Sequence, residues 1–399
     1  DAKGNPVIFT NGDNDTFPLW YNQETEGVRT DARVCNLSYL QTDWYIDQMR
    51  RPAYDSPSLP ISWTRLQYVT GTREGIPVQP DALQQVIDYY KDSPEDLKQM
   101  LGDNPYELKN IIRHWVLNDN PDLQIFPTDS IVVTVDKEAV KRSGMMIAAD
   151  SIPDVMHISL KGKRAVYKSE MMMLEMISQA NWERPLYMST TVGPDNYGHL
   201  GDNFVQEGLA CRITPFDTKQ SGRTIDSERM YNNMMNKFKY GGLKENPDIY
   251  LDETVIRMCY THRRLFNQLA QQLLKEGQKD KALKVLQRAE EEIPGSIVPH
   301  EAFYGHSLEL ADAWLALGHK AEAEKLLNAV GQNAKEYIEW YLSLNTQRLL
   351  QSSRECLMQI YILNDIAKTW EPIDKKKAET YRMEVNNYAS RCHQRGMSL

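Results

Sequence analysis

The sequence predicts an α/β domain with a Rossmann-like, mostly parallel sheet, followed by an all-α domain of tetratricopeptide-like helical hairpins. Strand-like and helix-like segments alternate from residue 6 onward, and residues 6–40 form a strand–helix–strand unit typical of parallel sheets. After about residue 253 the strand signals vanish and the 3.6-residue period of helices dominates. We therefore predict two domains, residues 1–253 and 254–399.

The first strand is predicted at residues 6–10, where the apolar run PVIFT ends in a polar loop. A helix over residues 16–27 follows. Asp15 is predicted as its N-cap, Pro18 lies in the first turn where a missing N–H is tolerated, and Gly27 follows the last turn. This segment is the helix of the strand–helix–strand unit.

The later segments of the α/β domain are assigned from the periodicity of their apolar residues, about 3.6 residues for helices and two for strands. Strands are predicted at 32–40, 130–135, 155–160 and 185–191, and segment 208–216 ends the domain. Helices are predicted at 42–51, 80–90, 93–101, 104–118 and 168–182. The last helix carries four methionines that we interpret as core residues, because Met171, Leu174 and Ile177 recur at helical spacing.

An internal repeat predicts the architecture of the second domain. Its first copy has small and apolar residues at tetratricopeptide offsets: Phe266, Leu269, Ala270, Leu273, Gly277, Ala282, Leu286, Ala289 and Pro294. The second copy has Leu310, Ala311, Trp314, Gly318, Ala323, Leu327 and Val330 at matching offsets, 41 residues later. An insertion around residues 297–303 explains the long spacing, and segments 354–370 and 376–391 resemble a degenerate third hairpin.

Composition and missing motifs exclude several classes of function. The net charge of −9 argues against general binding to nucleic acid or an anionic membrane surface. No run approaches the roughly 20 apolar residues of a membrane span. The five cysteines form no CxxC pair, and HExxH, Walker A, GxGxxG and GxSxG motifs are absent. The chain also begins without Met or signal peptide, so we expect a piece of a longer protein.

The best candidate site is the polar loop after the first strand, within FTNGDNDTFPLWY. In an open α/β sheet, ligands bind beyond the carboxyl ends of the strands. The candidate binding residues of this rim loop are Asn11, Asp13, Asn14, Asp15, Trp20 and Tyr21. We predict that Asp13 and Asn14 point outward and that Asp15 caps the helix. In a purely structural alternative, Asp15 is the cap and Asp13 only organises the turn.

The rim loop could also be interpreted as a calcium-binding loop, because Asn11, Asp13 and Asp15 follow the spacing with which such loops begin. Thr16 stands where an EF-hand needs glycine, and Asn22 stands where it needs glutamate. An EF-hand is therefore rejected, while another divalent-cation site stays open as a minor alternative. No other cofactor is predicted.

A second polar loop follows the strand predicted at 185–191. Its weaker candidate residues are Asp195, Asn196, Tyr197, His199, Asp202 and Asn203. If this strand runs parallel to the first, both loops lie at one rim of the sheet.

Two long stretches, residues 9–50 and 161–191, resemble a known family. They are similar to the extramembrane C-terminal region of a large Bacteroidetes family of multi-spanning membrane proteins. That family is related to protein O-mannosyltransferases and belongs to the membrane-embedded, lipid-donor (GT-C-type) glycosyltransferases. The similarity is close over residues 5–217, and relatives commonly carry C-terminal helical repeats. The rim loop also resembles, in architecture only, a Trp/Asp-rich turn in oligosaccharyltransferase soluble domains, without their double-Trp motif.

The resemblance implies an outward-facing domain on the periplasmic side of the inner membrane. Its implied partners are its own membrane domain and an acceptor protein or peptide, modified at Ser or Thr from a polyprenyl-phosphate sugar. In that superfamily the catalytic carboxylate lies between early membrane helices, none of which is in this chain. We therefore expect a glycosyltransferase as parent protein and no catalytic residue in this fragment.

Three functions follow as hypotheses. The leading one is an accessory domain that aids acceptor or partner binding by the membrane enzyme. The alternative is a non-enzymatic interaction scaffold, in which the α/β part is a mount for the repeats, and a weaker one is a small-molecule sensor at the sheet rim. Upstream membrane spans with an Asp-bearing outer loop would favour the first, whereas a signal peptide alone would favour the scaffold.

Overall fold

The computed structural model describes residues 4–145 and 151–397. It divides into two compact units, Asp1–Asp226 and Ser227–Leu399, termed here the α/β unit and the helical unit. The division falls before the helix Ser227–Asn236, whereas the boundary predicted from sequence at residue 253 follows it.

The α/β unit contains nine strands among the described residues: β1 Val7–Thr10, β2 Arg33–Asn36, β3 Gly75–Pro77, β4 Ser130–Thr134, β5 Val155–Ser159, β6 Ala165–Tyr167, β7 Leu186–Ser189, β8 Phe204–Gln206 and β9 Ala210–Ile213. Its helices there are α1 Asp13–Glu26, α2 Asp43–Met49, α3 Arg65–Tyr68, α4 Ala82–Tyr89, α5 Pro94–Leu101, α6 Leu108–Ile111, α7 Lys137–Arg142, α8 Lys168–Ala180 and α9 Thr218–Ser221. A π-helical stretch, Ile112–Val116, continues α6. Each strand predicted from periodicity is present, although most are shorter than expected.

The central sheet has the strand order β2-β1-β7-β9-β8. β1 pairs in parallel with β2, with Val7 opposite Arg33, and in parallel with β7, with Val7 opposite Leu186. The predicted strand–helix–strand unit is therefore confirmed as β1-α1-β2. Because these three strands run in one direction, their carboxyl ends lie at one edge of the sheet.

The sheet is mixed, which corrects the expectation of a Rossmann-like, mostly parallel sheet. β9 pairs antiparallel with both β7 and β8. Only three residues separate β8 from β9, and a connection that short can join antiparallel strands but not parallel ones. Segment 208–216, which contains β9, was predicted to end the domain, but its periodicity carries no information on the direction of pairing.

Four further strands lie outside the central sheet. β4 and β5, both predicted as strands, pair antiparallel with each other, with Val132 opposite His157. β3 and β6 form a second antiparallel pair. Two segments that were expected in one sheet with β1 thus form a separate two-stranded sheet, because periodicity does not specify the partner of a strand.

Helix α8 lies in the hydrophobic core of the α/β unit, together with Val7 and Phe9 of β1. Its four methionines, Met171, Met172, Met173 and Met176, are at most 1% exposed, which confirms them as core residues. Methionine is flexible enough to fill the irregular space beside a twisted sheet.

The charged residues of α8 are also buried, and each has at least one polar partner. Lys168 Nζ donates to Glu74 Oε1 at 2.6 Å, and Lys163 forms an ion pair with Glu170. Glu175 Oε1 accepts hydrogen bonds from the backbone N and the hydroxyl of Ser62, at 2.9 and 2.6 Å. Burying a charge without a partner is costly, so these contacts are what allow α8 to be buried on all sides.

The helical unit contains eight α-helices among its described residues: α10 Ser227–Asn236, α11 Glu253–Lys275, α12 Lys279–Glu292, α13 Ser307–Ala316, α14 Lys320–Ser343, α15 Thr346–Gln351, α16 Ser353–Trp370 and α17 Lys375–Gln394. The pairs α11–α12, α13–α14 and α16–α17 are joined by connections of three or four residues and pack against each other. The three helical hairpins predicted from sequence are therefore present.

The two copies of the repeat have matching local structure. Gly277 and Gly318 follow the first helix of their hairpins and both have left-handed φ angles, +76° and +83°. Such angles favour glycine because a side chain there would be strained. Ala282 and Ala323, at matching positions of the second helices, are both completely buried. The internal repeat is thus visible in the structure, whereas its assignment to the tetratricopeptide family stays a prediction.

We predict that Ala282→Leu and Ala323→Leu each lower the free energy of unfolding by roughly 1–3 kcal/mol, because the added atoms overpack a close helix contact. Ala321→Leu is the matched control, since Ala321 is exposed on the same helix as Ala323. Chemical denaturation measures all three. An unfolding curve for Ala323→Leu that coincides with that of Ala321→Leu would contradict the repeat alignment.

Candidate functional site

The rim of the three parallel strands is formed by the polar residues that follow β1, β2 and β7. The backbone N of Leu37 donates to Thr10 O at 2.8 Å, joining the ends of β2 and β1. Ser38 Oγ donates to Asn11 Oδ1 at 2.6 Å. Asn36 Nδ2 donates to Thr16 Oγ1 at 2.8 Å. Side-chain hydrogen bonds therefore connect the segment after β1 to the end of β2 and the loop that follows it.

Helix α1 begins at Asp13, three residues before the predicted start, so the prediction that Asp15 caps a helix starting at Thr16 is wrong. Gly12 precedes the helix with φ +81°, and the Thr16 hydroxyl donates to Gly12 O at 2.6 Å. Glycine permits the left-handed angle from which the chain enters the helix directly. Pro18 consequently lies inside the helix rather than in its first turn.

Asp15 instead joins the ends of two strands. Its Oδ2 accepts hydrogen bonds from the backbone N of Asn11 and from Thr191 Oγ1, both at 2.9 Å. Thr191 follows β7, which lies on the other side of β1 from β2. Strand order reverses between β1 and β7, and at such switch points open α/β sheets bind their ligands. The other oxygen, Oδ1, is enclosed and accepts no hydrogen bond from the described residues.

Asp13 and Asn14 are exposed at the rim, as predicted. Asp13 Oδ1 accepts one hydrogen bond, from the Tyr39 hydroxyl, at 3.3 Å. This distance is long for an O–H···O bond, so the carboxylate stays available to an external donor. The pKa of the Tyr39 phenol is raised, first by desolvation and then by the Asp13 carboxylate, which opposes a second negative charge.

Beside Asp13 lies a row of aromatic rings, termed here the aromatic ridge: Phe17, Trp20, Tyr39 and Trp44. Ring centroids are 5.5 Å apart for Phe17–Trp20, 6.4 Å for Trp20–Tyr39 and 5.8 Å for Tyr39–Trp44. Phe17 is 45% exposed and Trp44 is 50% exposed, so both ends of the ridge face solvent. Exposed aromatic side chains next to polar groups mark binding surfaces more often than scattered apolar residues do.

Tyr45 anchors the aromatic ridge to the core. Its ring contacts Tyr39 and Trp44 edge-on, at 5.6 and 5.5 Å, and is 1% exposed. The backbone N of Asn36 donates to its hydroxyl at 2.9 Å. Desolvation raises the pKa of Tyr45, so this phenol remains a neutral hydrogen-bonding group. The ridge is therefore fixed to the end of β2, which lies beside the end of β1 and its rim loop.

Sequence reasoning found only part of this surface. Trp20 belongs to the ridge and packs partly against the core. Tyr21, also predicted, is 60% exposed but makes no ring contact with the described residues. Phe17, Tyr39 and Trp44 were missed as candidates. The aromatic residues around TDWY gave a signal, but only the fold brings them next to α1.

The second loop is arranged differently from the first. β7 runs parallel to β1, as the shared-rim prediction requires, but the hydrogen bond between the loops comes from Thr191. Asp195 is exposed, whereas Tyr197 packs edge-on against Phe204 at 4.9 Å. Asp202 forms an ion pair with Lys219 at 2.7 Å. The second loop is thus joined to α9 through Asp202.

His199 and Asp202 line a cleft of about 920 Å³ in the α/β unit. His157 and Ser159 of β5 also line this cleft, as does Arg223. Asn203, of the same loop, is buried and donates to Phe216 O at 3.1 Å, which is a structural role. The cleft and the rim loop share no lining residue.

Comparison with known protein families gives a match, which covers the α/β unit. The family described as TMEM260-associated domain 2 matches residues 2–233. The chain belongs to this family. TMEM260 is an O-mannosyltransferase-like protein, which agrees with that part of the resemblance seen in the sequence. Searches of curated proteins and of solved structures give no match to this chain.

The matched region contains the whole rim loop, the aromatic ridge and the second loop. Most of the helical unit lies beyond it. Within residues 4–145 and 151–397, no group of three or more His, Cys, Asp or Glu side chains is placed to hold a metal ion. None of the helices in those same ranges is both long and apolar enough to cross a membrane.

We predict that Asp15→Ala lowers the free energy of unfolding by roughly 1.5–3 kcal/mol, because it removes both hydrogen bonds to a charged acceptor. Asp13→Asn is the matched control on the same helix turn. It should cost at most about 1 kcal/mol, the contribution of a charge at a helix N-terminus. Thermal unfolding of both variants measures the difference. Equal melting temperatures would refute the link between β1 and β7 that we assign to Asp15.

Proposed function

We propose that this chain is the outward-facing soluble domain of a membrane-embedded protein O-glycosyltransferase. Membership of a TMEM260-related family supports this proposal, as does the resemblance to the extramembrane region of O-mannosyltransferase-like membrane proteins. The domain lies on the periplasmic side of the inner membrane in this proposal. Its partners are its own membrane domain and an acceptor protein or peptide.

The role proposed for the domain is to hold the acceptor at the rim. The observation that carries this role is the exposed Asp13 carboxylate beside the aromatic ridge, at the carboxyl ends of three parallel strands. An extended peptide offers backbone N–H groups and Ser or Thr hydroxyls as donors, and Asp13 and Asn14 supply acceptors. The aromatic ridge supplies a rigid apolar surface for the neighbouring side chains.

Two features favour binding over a purely structural role for the rim loop. Asp15 accepts the hydrogen bonds that join the ends of β1 and β7. Asp13 is not needed for that contact and is exposed, with one long hydrogen bond. The aromatic ridge is half exposed at both of its ends, although burial of those rings would be favourable. A loop that served only to start α1 would need neither feature.

Catalysis is assigned to the membrane part of the parent protein. The donor would be a polyprenyl-phosphate sugar, whose lipid requires a membrane-embedded site. The domain therefore contributes to acceptor affinity and position. Binding energy from parts of a substrate remote from the reaction is used to orient it at the catalytic centre.

We predict that the isolated chain has no glycosyltransferase activity. Purified chain is mixed with a polyprenyl-phosphate sugar and a Ser/Thr-containing acceptor peptide, and sugar transfer is followed by mass spectrometry. The full-length membrane protein in detergent is the positive control. Sugar transfer by the isolated chain would contradict the assignment of catalysis to the membrane part.

We predict that Asp13→Asn and Trp44→Ala each reduce glycosylation by the full-length protein several-fold, mainly through a higher KM for the acceptor. Each change removes a proposed acceptor contact from an exposed side chain. Matched controls are Glu26→Gln, an exposed carboxylate at the other end of α1, and Tyr89→Ala, which is 81% exposed elsewhere in the same unit. Activity is normalised to folded protein, and an unchanged KM in both rim variants would show that the rim does not bind the acceptor.

The alternative is an interaction scaffold in which the helical unit binds the partner. One observation favours it: α14 exposes two large aromatic residues, Tyr337 at 48% and Trp340 at 54%. The same experiment separates the two functions. A scaffold predicts that rim variants keep full activity, whereas partner binding depends on the face of α14.

A further inference from the structure

Two buried cysteines meet between the last two long helices of the helical unit. Cys356 lies on α16 and Cys392 lies on α17, 36 residues later in the sequence. Their sulfur atoms are 3.9 Å apart, and both residues are completely buried. No other pair of cysteines is in comparable contact in the part of the chain that the structure describes.

We propose that Cys356 and Cys392 form a disulfide bond that links α16 to α17. A disulfide requires a sulfur–sulfur distance of about 2.05 Å, so the two atoms must approach by roughly 1.9 Å. Rotation of both side chains about χ1 is the movement that would close this distance. The two helices already pack against each other as a hairpin, so the bond fits their arrangement without a new helix position.

The oxidant is a disulfide compound, such as a protein dithiol–disulfide oxidase or glutathione disulfide. The thiolate of one cysteine attacks a sulfur of the oxidant, which forms a mixed disulfide and releases one oxidant thiol. The second cysteine then attacks the cysteine sulfur of the mixed disulfide and releases the second thiol. The two protons lost by Cys356 and Cys392 are carried away by the two released thiols.

The timing of oxidation follows from burial. Desolvation raises the pKa of the Cys356 thiol to about 12 and also raises the pKa of Cys392. The reactive thiolate is therefore scarce once the helices are packed, and no oxidant reaches the two sulfur atoms. The bond consequently forms while α16 and α17 are still docking. After folding it is shielded from reductants, which makes it a structural bond rather than a redox switch.

The other three cysteines are not suited to this chemistry. Cys35 and Cys211 belong to strands of the α/β unit, and Cys259 lies on α11. The geometry of the pair is independent of the function proposed above. The proposed periplasmic location would supply an oxidising environment, because disulfides persist there and not in the cytosol.

The test is a count of free thiols in the full chain. The chain is unfolded, refolded in a glutathione redox buffer, alkylated under denaturing conditions and weighed intact. We expect three alkyl groups rather than five, and a proteolytic peptide pair joining Cys356 to Cys392. Cys392→Ala should give four groups and Cys259→Ala two, because only the first change breaks the bond.

Stability gives a second readout. Breaking the bond with a phosphine reductant during denaturation should raise the unfolding equilibrium constant of the helical unit roughly 30- to 1,000-fold, as expected for a loop of this length. Reductant should not change the unfolding of Cys392→Ala. Five alkylated thiols after refolding under oxidising conditions, or a crosslink that joins other cysteines, would overturn the proposal.

Discussion

The parallel pairing of β1 with β2 and β7 is the constraint on which the candidate site depends. It brings three loops, far apart in sequence, to one edge of the sheet. Asp15 secures that edge, because one of its oxygens binds both Asn11 in its own loop and Thr191 after β7. The buried helix α8 completes the unit, and each of its three charged residues has a polar partner.

Two carboxylates of one helix turn have different roles because they face different strands. Asp15 is turned toward β7 and is used to join strand ends. Asp13 is turned toward the loop after β2, where Tyr39 is its single long-range hydrogen-bond partner among the described residues. This division of roles leaves an exposed charge beside the aromatic ridge, which is the feature that makes the rim suitable for binding a peptide acceptor.

The packing of the helical unit depends on glycine turns and on small residues at helix contacts. Glycines with left-handed angles end the first helix of two hairpins, and small residues let the paired helices approach closely. Close approach also brings Cys356 and Cys392 into contact on α16 and α17. A covalent link there would hold together a hairpin that lacks the glycine turn of the two before it.

The sequence by itself determined the features that depend on neighbours along the chain. These are the β1-α1-β2 unit, the methionine core of α8, the repeated hairpins and the outward position of Asp13. Only the tertiary structure decided which strands pair and in which direction. It placed β4 and β5 outside the central sheet, paired β9 antiparallel with its neighbours and joined Asp15 to a residue 176 positions away. Periodicity records which face of a segment is buried, but pairing and side-chain partners are set by distant segments, so the aromatic ridge could not be assembled from local sequence.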